Sequence, residues 1–99
     1  MRKSAKTQSE GAGRLLVATI EHEVRYNYSL AYAQDGRQTA KGAIEGAADL
    51  MRDAFRQGRC GLILENGLKW PVQVVAHSQG SDMAYFIIED LPKSLRPAG

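Results

Sequence analysis

The chain has 99 residues, of which 43 % are hydrophobic and 24 % charged, and its formal net charge is +2. This is the composition of one small globular domain with a modest core, and it excludes a wholly disordered chain. Cys60 is the only cysteine, which excludes an intramolecular disulfide and a cysteine zinc cluster and fits a cytoplasmic location.

The charge is distributed unevenly along the chain. Residues 1–14 carry a net charge of +3 and residues 93–99 carry +2, so residues 15–92 carry −3. We therefore expect no basic face within the domain, although such a face is the usual mark of a nucleic-acid-binding fold. The N-terminal cations could still make salt-sensitive phosphate contacts. These cations are Arg2, Lys3, Lys6 and Arg14.

The sequence predicts three segments and no membrane span. We expect a flexible basic tail over residues 1–13, a single α+β domain over residues 14–92 and a flexible tail over residues 93–99. The longest apolar runs are far shorter than the ~20 residues of a transmembrane helix, so we expect no membrane contact.

Alternation of apolar and polar residues predicts β-structure from Leu16 to Tyr32. The apolar face carries Leu16, Ala18, Ile20, His22, Val24, Tyr26, Tyr28, Leu30 and Tyr32. One straight strand of this length would span roughly 55 Å, far above the usual length. We therefore predict either a bend or bulge near Glu21–Glu23 or two strands in succession.

Two hairpins can be predicted to their register. Gly36 and Gly67 each suit the left-handed position that ends a three-residue loop, over residues 34–36 and residues 65–67. The first loop pairs Tyr28 with Gly42, Leu30 with Ala40 and Tyr32 with Gln38. The second loop pairs Cys60 with Val72, Leu62 with Trp70 and Leu64 with Leu68.

Between the hairpins, apolar residues at helical spacing predict one helix that ends at Gly58. The apolar stripe consists of Ile44, Ala47, Ala48, Met51 and Phe55. Residues 82–91 fit a strand or a helix, and their aromatic and β-branched content favours a strand. The expected fold is α+β, an antiparallel sheet of about five strands in the order β-β-α-β-β-β, with the amphipathic helix packed on one face.

The segment AHSQG, which follows a short apolar strand, resembles the nucleophile elbow of the α/β-hydrolases. The resemblance implies that Ser78 is a nucleophile, with Ala76 and Gly80 permitting the tight turn. The family also needs a helix after the serine, and then an acid and a histidine in that order. Because no histidine follows Gly80, we favour a hairpin loop in which Gly80 adopts an unusual backbone conformation.

Few other residues are candidates for catalysis or for ligand binding. Glu21 and Glu23 flank His22, but neighbouring residues on a strand point to opposite faces, so we expect no metal site there. Tyr26, Tyr28 and Tyr32 share a face that could stack bases, although core packing is the preferred interpretation. We therefore assign no catalytic, cofactor-binding or metal-binding residue, and we expect no cofactor.

The leading hypothesis is a small non-enzymatic module that acts through protein–protein contact as a regulator, inhibitor or assembly accessory. Surplus apolar residues on the second sheet face, together with free sheet edges, predict a protein partner or a homodimer. The predicted interaction surface consists of Leu15, Val17, Ile63, Val75 and Ile87. The alternatives are a nucleic-acid-binding accessory protein that uses its basic tails, and a serine hydrolase at Ser78.

Overall fold

The computed structural model describes residues 8–95, which fold as an antiparallel β-barrel with one α-helix. The elements are β1 (Gln8–Val17), β2 (Ile20–Tyr32), β3 (Gln38–Glu45), α1 (Ala48–Gln57), β4 (Arg59–Ile63), β5 (Lys69–His77), β6 (Met83–Ile88) and a 3-10 helix (Lys93–Leu95). The strand order is β1-β2-β3-β6-β5-β4, and pairing of β1 with β4 closes the barrel.

The expected five-stranded sheet with a helix on one face is wrong in its strand number and in its closure. The expected tail over residues 1–13 contains the first six residues of β1, which begins at Gln8. This segment lacks an apolar stripe because its inward positions are Gly11 and Gly13, which lie beside the ring of Tyr26. Residues 1–7 and 96–99 lie outside the described residues.

The long alternating segment forms two strands, as one of the two alternatives predicted. Val17 pairs with Ile20 across a two-residue turn, in which Ala18 adopts a left-handed φ of 57°. The turn changes the inward-facing positions from odd numbers in β1 to even numbers in β2. Leu15 and Val17 therefore lie in the core, and their expected place on an outer interaction surface is wrong.

Both predicted hairpin registers are confirmed. Gly36 and Gly67 have φ values of 89° and 92°, as the three-residue loops require. Tyr28 lies opposite Gly42, where a side chain on β3 would overlap the backbone of Asn27 and Tyr28. Residues 83–88 form a strand, which confirms the preferred interpretation of that segment.

Large apolar side chains fill the barrel interior. The largest fully buried ones are Trp70, Phe86, Leu15, Ile44, Met51, Leu62, Leu91 and Val72. The rings of Tyr28 and Trp70 meet edge to face, with centroids 4.8 Å apart. The interior is thus a packed core, in which burial of each large side chain contributes about 1.5–3 kcal/mol.

The helix covers one end of the barrel, although we expected it on a sheet face. Met51 and Ala54 are fully buried there, whereas Phe55 is 42 % exposed. Ile44, which the sequence assigned to the helical stripe, belongs to β3. The helix ends at Gly58 as predicted, with a φ of 82° and an amide that donates to the Ala54 carbonyl.

The chain after β6 covers the opposite end of the barrel. Leu91 is fully buried, and its amide donates to the carbonyl of Gln38 at the start of β3. The indole Nε1–H of Trp70 donates to the carbonyl of Leu95 over 2.6 Å. Neither helix within residues 8–95 has the length and the apolar character needed to cross a membrane.

Substitution of Gly42 tests the close packing of β2 against β3. A Cβ at this position would overlap the carbonyl oxygen of Asn27, which is backbone and cannot move aside. We expect Gly42→Ala to lower the free energy of unfolding by about 2–4 kcal/mol in urea denaturation. Gly67→Ala is the control, because open space surrounds Gly67 and only its positive φ is penalised, by about 1 kcal/mol. Equal losses would contradict this account.

Candidate functional site

The outer wall of β3 and β6 carries a contiguous set of side chains, which we name the β3–β6 face. Cross-strand pairing sets its residues in three rows, namely Lys41 with Ile87, Ala43 with Tyr85, and Glu45 with Met83. Successive residues of a strand alternate between the two sides of a sheet, so all six point away from the filled interior. Their even-numbered neighbours form part of the core.

Apolar atoms on this face remain accessible to solvent. Tyr85 is 50 % exposed, while Met83 and Ile87 are partly buried. Ala43 is only 5 % exposed although it points outward, so neighbouring side chains cover most of it. A register shift between Val74 and Ala76 makes Val75 an extra residue of β5 beside this row, and Val75 is 45 % exposed.

Opposite charges lie at the two ends of the β3–β6 face. Lys41 and Glu45 are both exposed, and among residues 8–95 neither forms an ion pair. A groove of about 370 Å³ lies at the Lys41 end, and grooves of about 120 Å³ and 550 Å³, both also lined by Arg25, lie at the Glu45 end. The face is therefore apolar at its centre, with Lys41 at one end and Glu45, opposite Arg25 of β2, at the other.

The predicted interaction surface is only partly brought together. Val75 and Ile87 lie on neighbouring strands, whereas Leu15 and Val17 are core residues. Ile63 is partly buried on β4, opposite Lys69, and that position is roughly 20 Å along β5 from Val75. Sequence reasoning missed Tyr85, although the alternation of Met83, Tyr85 and Ile87 in the last strand was a usable signal.

The loop around Ser78 is a β-hairpin, as we favoured from the sequence. The Ser81 amide donates to the Ser78 carbonyl, and Gly80 has a φ of 81°. A ring nitrogen of His77 lies 2.9 Å from the carbonyl oxygen of Ser81. The next element is the strand β6 and not a helix, so the arrangement differs from the nucleophile elbow that the segment resembles.

The other sequence candidates separate in the structure. Glu21 accepts a hydrogen bond from Arg14 over 2.7 Å, while His22 is partly buried opposite Leu15. No group of three or more potential metal-ligating side chains occurs within the described part of the chain.

The three tyrosines do not form one exposed stacking surface. Tyr26 and Tyr28 are buried, and the Tyr26 hydroxyl accepts a hydrogen bond from the Glu65 amide, whereas Tyr32 is 68 % exposed. The buried pair confirms the core interpretation for these two rings.

One of the four cations proposed for the basic N-terminal segment lies in a strand. Arg14, which we grouped with the N-terminal cations, lies within β1 and forms an ion pair with Glu21, so it belongs to the barrel. Arg2, Lys3 and Lys6 lie outside the described residues.

Cys60 is the remaining nucleophilic side chain of interest. It is buried next to α1, where its sulfur lies 3.7 Å from the Ala54 carbonyl oxygen. Burial raises the pKa of the Cys60 thiol above its ordinary value of 9.0, because the thiolate is poorly solvated there. The group therefore belongs to the core and not to an accessible site.

Comparison of the chain with protein-family models, with curated proteins and with solved structures finds no match.

The hairpin geometry predicts that Ser78 is not an activated nucleophile. We expect a fluorophosphonate probe to give no labelling that depends on Ser78, because His77 is engaged by the Ser81 carbonyl. Intact-mass spectrometry of the wild type and of Ser78→Ala checks this. Stoichiometric labelling that is lost in Ser78→Ala would contradict the prediction and support a hydrolase.

The raised pKa of Cys60 predicts a decline in stability at alkaline pH. As the pH rises above about 9, the unfolded chain loses this proton before the folded chain does, so the free energy of unfolding falls. Urea denaturation from pH 7 to pH 10.5 should show a larger decline in the wild type than in Cys60→Ala. Parallel pH profiles for the two proteins would contradict the assignment.

Proposed function

We propose that this protein is a small non-enzymatic module that acts through protein–protein contact, and that the β3–β6 face together with Val75 makes the contact. The observation that carries the proposal is the cluster of accessible apolar side chains around Tyr85, on the outside of a barrel whose interior is filled. A filled barrel leaves its outer wall and its loops as the surfaces available for binding.

Clustering distinguishes this face from ordinary exposed apolar residues. Single exposed apolar side chains are common on soluble proteins and need no explanation. Ile20 and Tyr32 are of this kind, because they lie at opposite ends of β2. Tyr85 and Val75 instead lie on adjacent strands, next to Met83 and Ile87.

The closed barrel determines how such a contact would form. Each described strand pairs with two neighbours, but some pairings cover only part of a strand, and β1 pairs with β4 only over three residues. The free edges expected from the sequence are therefore reduced to short segments, which leaves an extended peptide little room to add as a further strand. We infer contact by side-chain packing across the outer wall, where an aromatic residue such as Tyr85 would act as the anchor.

Two matched tyrosine variants test this proposal. Tyr85→Arg places a charge at the centre of the face, whereas Tyr32→Arg makes the same change at a more exposed position away from it. We expect Tyr85→Arg to reduce the recovery of a bound protein at least roughly tenfold, as loss of a central anchor does, while Tyr32→Arg retains it. The measurement is affinity capture from a lysate of the source cell with nuclease present, followed by quantitative mass spectrometry.

Circular dichroism should show that both variants keep the fold. Equal recovery by the two variants would contradict the assignment of the face. Binding that disappears with nuclease in the wild type would instead favour the nucleic-acid alternative, in which the basic tail is responsible.

A further inference from the structure

We infer that the partner on the β3–β6 face is a second copy of this chain, packed face to face about a two-fold axis. The inference rests on the proposed function, because it uses the same surface, and it adds the identity and the orientation of the partner. Homodimers of this kind are isologous, which means that one patch must complement itself. The arrangement of residues on this face meets that condition.

The symmetry follows from the closed barrel and from the register. Every described strand has a neighbour on each side, which favours packing of two barrels wall against wall over their joining into one continuous sheet. The two-fold axis lies in the plane between the walls. It runs perpendicular to the strands, along the row of Ala43 and Tyr85, and it reverses the strand direction of the second copy. Each β3 then lies antiparallel to the β3 of the other copy, and each β6 to the other β6.

This operation matches the rows of the face. The row of Lys41 and Ile87 in one copy meets the row of Glu45 and Met83 in the other, because these rows lie on either side of the central row. Lys41 of each copy thus faces the Glu45 carboxylate of the other copy, so the dimer contains two such pairs. Neither group forms an ion pair within the described residues of one chain, although Arg25 lies opposite Glu45 on β2, so both charges can pair across the dimer.

The alternative axis gives a poorer match. An axis parallel to the strands would make each row of the face meet itself, so that the two Lys41 side chains lie near each other at one end and the two Glu45 side chains at the other. Like charges that lie close together across an interface are unfavourable. The charges of Lys41 and Glu45 therefore favour the antiparallel arrangement.

The central row fits a face-to-face contact. Packed sheets lie about 10 Å apart, a separation that exposed tyrosine, methionine and isoleucine side chains can bridge. The central row lies on the axis, so Tyr85 meets Tyr85 of the second copy and Ala43 meets Ala43. The face has six strand residues and Val75, far fewer than the roughly 20–30 residues per side of a standard interface, so we expect a weak dimer with a Kd in the micromolar range or above.

Charge exchange provides the test, and it uses the full-length protein. Lys41→Glu and Glu45→Lys each convert both attractive pairs of the dimer into repulsive ones, so each variant alone should dimerise at least roughly tenfold more weakly. The double variant Lys41→Glu/Glu45→Lys should regain dimerisation. A mixture of the two single variants should form a heterodimer, because each charge then meets its opposite. Lys69→Glu on β5, outside the face, is the matched control.

Sedimentation equilibrium from micromolar concentrations to about 1 mM measures these associations. A wild type that remains monomeric over the whole range would overturn the inference, and so would single variants that dimerise like the wild type. If the wild type is monomeric while Tyr85→Arg still loses a captured protein, the partner is a different chain and the proposed function stands. If the wild type dimerises and no variant of the face changes this, the dimer forms through another surface and the inference fails, whereas the capture experiment with Tyr85→Arg still decides the proposed function.

Discussion

The pairing of β1 with β4 is the constraint on which the rest of the structure depends. Three residue pairs make it, Arg14 with Ile63, Leu15 with Leu62, and Leu16 with Gly61. At this seam Leu15 and Leu62 point inward and are fully buried. Gly13 lies so close to the carbonyl oxygen of Ile63 that a side chain would prevent the approach. Closure therefore depends on a glycine as much as on apolar burial.

Closure separates the strand residues into those that face the interior and those that face outward. The two open ends of the barrel then each need a segment of chain to cover them. The amphipathic helix provides one cover, with Met51 and Ala54 turned inward. The chain from Leu91 to Leu95 provides the other, and the Trp70 indole hydrogen bond holds it in place. The described core between the two covers contains few polar atoms. One of them, Oε1 of Gln38, is buried without a hydrogen-bond partner among the described residues.

The same constraint shapes the function that we propose. The side chains that fill the interior and the closed order of the strands leave outward-facing side chains as the main surface for contact. Tyr85 lies where such side chains are apolar on two neighbouring strands, and Lys41 and Glu45 flank that position with opposite charges. The proposed contact would thus use residues that point away from the barrel interior.

The sequence by itself determined the features that local forces control. Both three-residue hairpin loops, their registers and the end of the helix follow from glycines at left-handed positions and from short-range periodicity, such as the pairing of Tyr28 with Gly42. Residues 83–88 were also identified as a strand, because aromatic and β-branched residues favour one. For the candidate site, the sequence named Val75 and Ile87 but could not separate them from Leu15.

Only the tertiary structure decided what depends on distant pairing. The sequence pattern did not predict the first six residues of β1, because Gly11 and Gly13 stand where other strands have inward-facing apolar residues. These glycines leave space for the ring of Tyr26 from the next strand. The two-residue turn at Ala18 reversed the inward positions, which moved Leu15 from an expected outer face into the core. A period-2 pattern shows that a strand has two faces. Which face points inward depends on the pairing of β1 with β4, because this pairing closes the sheet into a barrel and so defines its interior.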